Sequence, residues 1–194
     1  MAKTLLYTLA TLLFASFLFA CSESETPLQQ TDAVPSELRK SVAVSIQAPD
    51  LAVPARAMVT WSDRTGGVLG DVGEKPEVEG LLRKAIVNTM DQQAFHFTEH
   101  AEQAFFKVSY VLALEKDLND EDLEKYFGLS LGLAGDKGFE KGTLVIDIQN
   151  QEGQSVWRGA LQANVSKEFS QEMRVQRLNS AVETLLAGFF RHKA

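Results

Sequence analysis

The most suggestive spacing in the chain is Gly128-Leu129-Ser130-Leu131-Gly132, a GxSxG run with Asp147 and His192 downstream, which orders a nucleophile, an acid and a base. A hydrolase built this way needs a buried strand before the serine and a helix after it, so that a strained turn presents the hydroxyl. Here an acidic segment precedes Ser130, and Gly135, Asp136 and Gly138 follow it. Asp147 falls inside a strand pattern, and Arg191-His192-Lys193 suits the carboxyl end of a helix. A serine hydrolase using Ser130 and His192 is therefore a minor alternative. His96 and His100, four apart, would align two imidazoles for one metal on a helix, with Glu99 or Glu102 as a third ligand. They stand where a helix pattern stops and a strand pattern begins, so that alignment is not expected. The acidic run Asp120, Glu121, Asp122 and Glu124 lacks the central glycine and terminal glutamate of a calcium loop, and reads as a helix start or a solvated face. Gly66, Gly67, Gly70 and Gly73 form neither GxGxxG nor a glycine followed by Lys-Ser/Thr, and read as a flexible loop. No catalytic residue, metal or cofactor is expected, and the chain reads as a non-enzyme.

Cys21 is the other group with chemistry to offer. It is the single cysteine of the chain, so no intrachain disulfide is possible. It closes an apolar run, residues 4–20, that follows Lys3. As a helix, residues 5–19 would extend roughly 22 Å at ~1.5 Å per residue, short of a hydrocarbon core of about 30 Å. The run reads as a signal peptide. Leu18-Phe19-Ala20-Cys21 resembles the lipobox of bacterial lipoproteins, with Phe19 where a small residue is usual. That resemblance implies cleavage before Cys21, diacylation of its thiol and acylation of the new amino terminus. With Ser22 rather than Asp next, it implies export to the outer membrane of a Gram-negative bacterium, the domain facing the periplasm. One acyl chain holds a protein to a bilayer only marginally, at about 0.8 kcal/mol per buried CH₂, and two or more hold it stably.

These groups must be carried by the rest of the chain. Its 194 residues have a net charge of -7, and removal of residues 1–20 takes Lys3 away and makes it more negative still. Such a surface repels phosphate backbones, which excludes nucleic acid as a partner class. A hydrophobic content of 45% suffices for one core. Residues 1–20 are then the leader, 21–40 the lipidated cysteine and a Ser-, Glu-, Gln- and Pro-containing tether, and 41–194 a single domain.

Within the domain, Val42, Val44 and Ile46 alternate in one strand pattern, and Ala57, Val59 and Trp61 in a second. Pro76 suits the first turn of a helix whose buried stripe is Val78, Leu81, Leu82, Ala85, Ile86, Thr89 and Met90, ending near Gln93. Residues 104–118 alternate again and are expected to pair with 142–149. Leu144, Ile146 and Ile148 then lead through a polar turn, 150–154 with Gly153, into a run that sets Trp157, Leu161 and Val165 against Arg158, Gln162 and Asn164. Gly159 leaves room for a ring or backbone. Ser170 caps a closing helix with core stripe Leu178, Val182, Leu185, Leu186 and Phe189. Residues 119–141 are irregular, with Leu129, Leu131 and Leu133 in a mobile glycine-rich loop at the edge of the sheet or folded over it. The fold class is α+β, a two-layer sandwich of a mainly antiparallel sheet of about four to five strands with two helices on one face.

Thr60-Trp61 ending an early strand, Gly142-Thr143-Leu144-Val145-Ile146-Asp147 and Val156-Trp157-Arg158-Gly159 resemble the bacterial lipoprotein family called domain of unknown function 4136, over residues 42–190. Thr60 stands where the family has an aromatic, and 119–141 is a long insertion. The resemblance implies an anchored envelope domain and brings no catalytic residues. The leading expectation is a membrane-held module, fixed through acylated Cys21, that binds an envelope protein or component. The alternative is a small apolar-ligand or lipid binder whose helices and 129–133 loop enclose a cavity.

Overall fold

The computed structural model describes residues 40–63, 66–70 and 75–193. The expected signal peptide, Cys21 and the tether up to residue 39 lie outside the described residues. In chain order the elements are β1 (Ser41–Gln47), β2 (Ala57–Trp61), β3 (Gly67–Val68), α1 (Lys75–Asp91), β4 (Phe95–Phe97), β5 (Phe106–Leu114), α2 (Asp120–Phe127), β6 (Glu140–Gln149), β7 (Ser155–Val165) and α3 (Gln171–Phe190). A short 3₁₀ turn, Ala101–Gln103, precedes β5.

The hairpin forms as the alternation requires. β6 and β7 pair antiparallel, with Ile146 opposite Gly159 and Gly142 opposite Ala163. The turn closes through Asn150 N–H to Gln154 O at 2.9 Å and Gly153 N–H to Asn150 O at 3.0 Å, with Gly153 at φ 80. That φ is open to glycine at little cost. β5 pairs antiparallel with β6, and β1 with β7.

Beyond β5 the sheet departs from expectation. β2 and β3 both run parallel to β5, and β4 runs parallel to β2, giving seven strands in the order β1-β7-β6-β5-β2-β4 with β3 beside β5. The fold is α+β, but the sheet is larger and more mixed than four to five mainly antiparallel strands. The reason is length: β3 has two residues and β4 three, too few for a period to show. Parallel neighbours also need a crossover, and α1 supplies it between β2 and β4.

α1 and α3 cover one face. Leu82, Ile86 and Met90 of α1 and Val182, Leu186 and Phe189 of α3 meet Val108, Ile146, Ile148 and Trp157, all at 0% exposure. Each such side chain contributes about 1.5–3 kcal/mol relative to exposure. Trp157 is central: an added Cβ at Gly159 would come within 2.5 Å of its ring, and one at Gly188 within 3.3 Å. The two glycines admit the indole between strand and helix, the role expected of Gly159.

The two-helix expectation misses α2, which lies over the other face. Asn119 caps it, its Oδ1 accepting from Asp122 N–H at 2.9 Å, and Gly128 at φ 68 ends it. The acidic run is the first turn of this helix, where negative charge is favoured. Residues 128–139 then fold over the sheet: Leu123, Leu129 and Leu133 are buried, and the first two pack with Ala113, Val145 and Ala160.

Candidate functional site

The hydrolase residues are not brought together. Ser130 is exposed in the segment after α2, Asp147 faces α2 from β6, and His192 follows α3, which packs on the other face of the sheet. Asp147 accepts from Arg158 Nε at 2.9 Å, from Gln149 Nε2 at 2.7 Å and from the Ser155 hydroxyl. No hydrogen bond joins Ser130, Asp147 and His192 among the described residues. The histidine pair also separates. His96 lies in β4 with Nδ1 3.0 Å from Asp91, whereas His100 precedes the 3₁₀ turn with Nδ1 3.5 Å from Glu102. No group of three metal-ligating side chains occurs among the described residues.

What the fold builds instead is a cleft between helix layer and sheet, with a volume of about 420 Å³. That lies within the range of about 300–1,000 Å³ usual for small-ligand sites. Its floor is the ends of β5, β6 and β7, with Leu112, Leu144 and Leu161, and its roof is the amino-terminal halves of α1 and α3, with Leu81 and Leu178. The opening follows from small residues at facing positions. Gly142 and Ala163 are cross-strand partners on the helix face, and Ala181 looks down from α3. Where this layer is filled, the same face carries Ile148 and Trp157.

The rim is polar. Ser170 caps α3 as expected, accepting from Met173 N–H at 3.3 Å. Gln171 Nε2 donates to Glu77 Oε1 at 2.7 Å, joining the first turns of α3 and α1. Arg174 Nη2 donates to Lys167 O at 2.8 Å. Arg177 Nη2 donates to Asn164 O at 2.7 Å, with its guanidinium 5.2 Å from the Phe169 ring centre. Burial pushes Arg177 below the usual arginine value. The lining holds Lys167, Arg174 and Arg177 against Glu77 and Glu140, a local positive excess in an acidic chain.

A family model described as Domain of unknown function (DUF4136) matches residues 39–189. The chain belongs to the DUF4136 family. No curated protein matches it. Among solved structures, the DUF4136 fold described above is similar to a DUF4136 family protein from Bacteroides thetaiotaomicron, at 11% identity and TM-score 0.51, covering 79% of this chain and 97% of that one. It also aligns with the PelC dodecamer from Paraburkholderia phytofirmans, at 11% identity and TM-score 0.45, covering 76% of this chain and 96% of that one. A PDZ domain protein from Parabacteroides distasonis aligns at 11% identity and TM-score 0.42, over 77% of this chain and 36% of that one.

Sequence reasoning placed the cavity partly under the 129–133 loop. That loop covers the opposite face, and the cleft of this DUF4136 domain is walled by α1, α3 and the sheet. No sequence signal gives it: counting back from the 150–154 turn sets Gly142 beside Gln162, and only the register shift at Ile148/Gln149 brings Gly142 opposite Ala163, a pair too small to fill the layer. Cys21, the one site residue assigned from sequence, lies outside the described residues.

Proposed function

We propose that this protein is a lipid-anchored, non-catalytic module of the outer membrane, facing the periplasm, that binds a small apolar ligand in the cleft between α1, α3 and the sheet. The observation that carries this reading is an apolar-walled space of about 420 Å³ between the two helices and the sheet. It favours a small ligand over an envelope protein as the occupant of this site, because a concave, apolar space with a polar rim suits a molecule that enters it. Attachment is assigned to acylated Cys21 because it closes the leader-like apolar run of residues 4–20 in a lipobox-like ending.

Native mass spectrometry of the full chain released from detergent tests the ligand. Wild type is expected to carry a bound small apolar molecule, and Ala163→Trp, which fills the cleft, to lose it. Identical spectra for the two proteins, or bare wild type, would defeat the proposal. The anchor is tested separately, with Cys21→Ser expected to leave the membrane fraction and to take up no labelled palmitate. Continued sedimentation with membranes would sink that part.

A further inference from the structure

We infer that the ligand of this cleft is a fatty acid: one acyl chain along the apolar floor, ending in a carboxylate that meets Arg174 at the rim. This rests on the apolar-ligand reading above and adds the chain number, the charge and the source.

The volume sets the chain number. A methylene needs about the space of a liquid water, roughly 30 Å³, so a cleft of about 420 Å³ is on the scale of one acyl chain. The walls suit it: Leu112, Leu144, Leu161 and Leu178 present hydrocarbon from both layers.

The charge sets the head. Three cations, Lys167, Arg174 and Arg177, stand among the lining residues against two carboxylates, Glu77 and Glu140, a local excess of one positive charge in a protein whose net charge is -7. Arg174 is exposed and gives Nη2 to Lys167 O, leaving the rest of its donor fork without a partner among the described residues. A guanidinium fork matches a carboxylate in two parallel hydrogen bonds, the geometry that makes such pairs strong. Arg177 lies deeper, half-buried against Phe169, and adds positive field at the point where a chain would leave the apolar floor. Glu77 is held on Gln171, across the rim between α1 and α3.

The chemistry sets the source: single-chain acids are released from phospholipids by deacylating reactions. The site lies at the end of the sheet where β1 begins, since Ser41 pairs with Ala163, which lines the cleft.

The test uses the full chain in its own membranes. Palmitate carrying a photoreactive diazirine is compared with the alcohol of the same chain length, and labelled peptides are mapped by mass spectrometry. Palmitate is expected to label the cleft at least about tenfold more than the alcohol. Arg174→Glu should remove most of that preference, Arg174→Gln should remove part of it, and both should keep the wild-type melting temperature. Equal labelling by acid and alcohol, unaffected by Arg174→Glu, would overturn the fatty-acid assignment while leaving an apolar-ligand site standing. Displacement by lysophosphatidate at far lower concentration than by palmitate would overturn the carboxylate in favour of a phosphate head. Absence of cleft labelling by both probes would remove the inference and the apolar-ligand reading together.

Discussion

On the helix-bearing face of the sheet, Ile146, Ile148 and Trp157 are buried among other apolar side chains, whereas on the opposite face of the same hairpin Lys141, Asp147 and Gln162 are buried among polar partners. Lys141 Nζ lies 2.9 Å from both Asp120 and Glu115, and Asp120 also accepts from Gln162 Nε2 at 2.6 Å. Asp147 gathers Arg158, Gln149 and Ser155, and Arg158 Nη1 reaches on to Phe127 O at 3.0 Å. At the edge, Asp136 accepts from Asn164 Nδ2 at 2.8 Å and pairs with Lys40 at 3.2 Å. These three clusters join α2 and the segment after it to the sheet. One face is thus closed by area and shape alone, whereas the other adds directed charge pairs to a smaller apolar cluster, Leu123 and Leu129 on Ala113, Val145 and Ala160; such pairs position a segment but contribute less net stability because each charge loses hydration. The difference also explains where a cleft can exist: an apolar gap is tolerated where leucines line it, whereas a gap on the polar face would leave buried charges unmatched.

The comparison is broken most directly at Trp157. Trp157→Ala is expected to cost about 3–5 kcal/mol, as large-to-small aromatic changes in a core do, read as a fall in the urea midpoint. A loss near 1 kcal/mol would show that the apolar face does not dominate stability.

Asp147→Ala tests the polar face. Asp147 and Arg158 side chains are 10% and 21% exposed, so the pair lies between a surface pair and a fully buried one. A loss of about 2–3 kcal/mol is expected, between about 0–1 for exposed pairs and 3–5 for buried ones. Arg158→Met in the same background should recover part of it, because the unmatched charge is then gone. No recovery would mean the cost is not that of an orphaned guanidinium.

Tyr110 sharpens the comparison, since it is the polar exception on the helix face. Its hydroxyl donates to Glu79 Oε1 and accepts from Arg83 Nε, both at 2.8 Å. Burial, followed by the Glu79 hydrogen bond, pushes its pKa up to about 12. A raised acid pKa means the folded state favours the protonated phenol. That stability is present below the unfolded value near 10 and is lost as pH rises toward about 12. Tyr110→Phe should lower stability by about 0.5–1.5 kcal/mol at neutral pH and flatten the alkaline decline. An unchanged decline in the mutant would assign it elsewhere.

The Asp120–Lys141 pair gives the opposite face its own pH window. Burial raises Asp120, but hydrogen bonds from Gln162 and Lys141 outweigh it and hold the carboxyl below its usual range. Burial lowers Lys141, and Asp120 and Glu115 outweigh that to hold it above the usual lysine value. The pair is therefore fully stabilising between unfolded values of about 4 and 10. It weakens as pH falls through the depressed Asp120 value or rises through the elevated Lys141 value. Asp120→Asn should make the acid-side decline shallower in thermal melts from pH 6 to pH 3, on the order of 1 kcal/mol or less, since Asp120 is partly solvated. An identical slope would remove Asp120 from the account.

Lys40→Ala should be the smallest effect, within about 0–1 kcal/mol, because Lys40 is 57% exposed in its pair with Asp136. A larger loss would show that the edge cluster holds the segment after α2 more firmly than its exposure implies.

Much of this was legible from particular residues. The alternation of Leu144, Ile146 and Ile148, the polar turn with Gly153, and the stripe from Val182 to Phe189 named the hairpin and the closing helix, because each runs long enough to repeat its period. β3, β4 and the parallel pairing of β2 with β5 were not legible, since two or three residues carry no period and pairing depends on distant partners. The cleft was not legible either: Gly142, Ala163 and Ala181 are unremarkable until the register and the helix packing set them around one space.

By itself the sequence determined which segments alternate, which side of each long strand is apolar, where α3 is capped, and that Cys21 follows a leader-like apolar run, since these depend on neighbours within a few residues. Only the tertiary structure decided that Ser130, Asp147 and His192 stay apart, that the acidic insertion lies over the polar face, and that small residues from β6, β7 and α3 leave an open cleft beneath cations. Those outcomes depend on how layers pack across long sequence separations, where side-chain volume and the matching of buried charge act between segments that no local pattern connects.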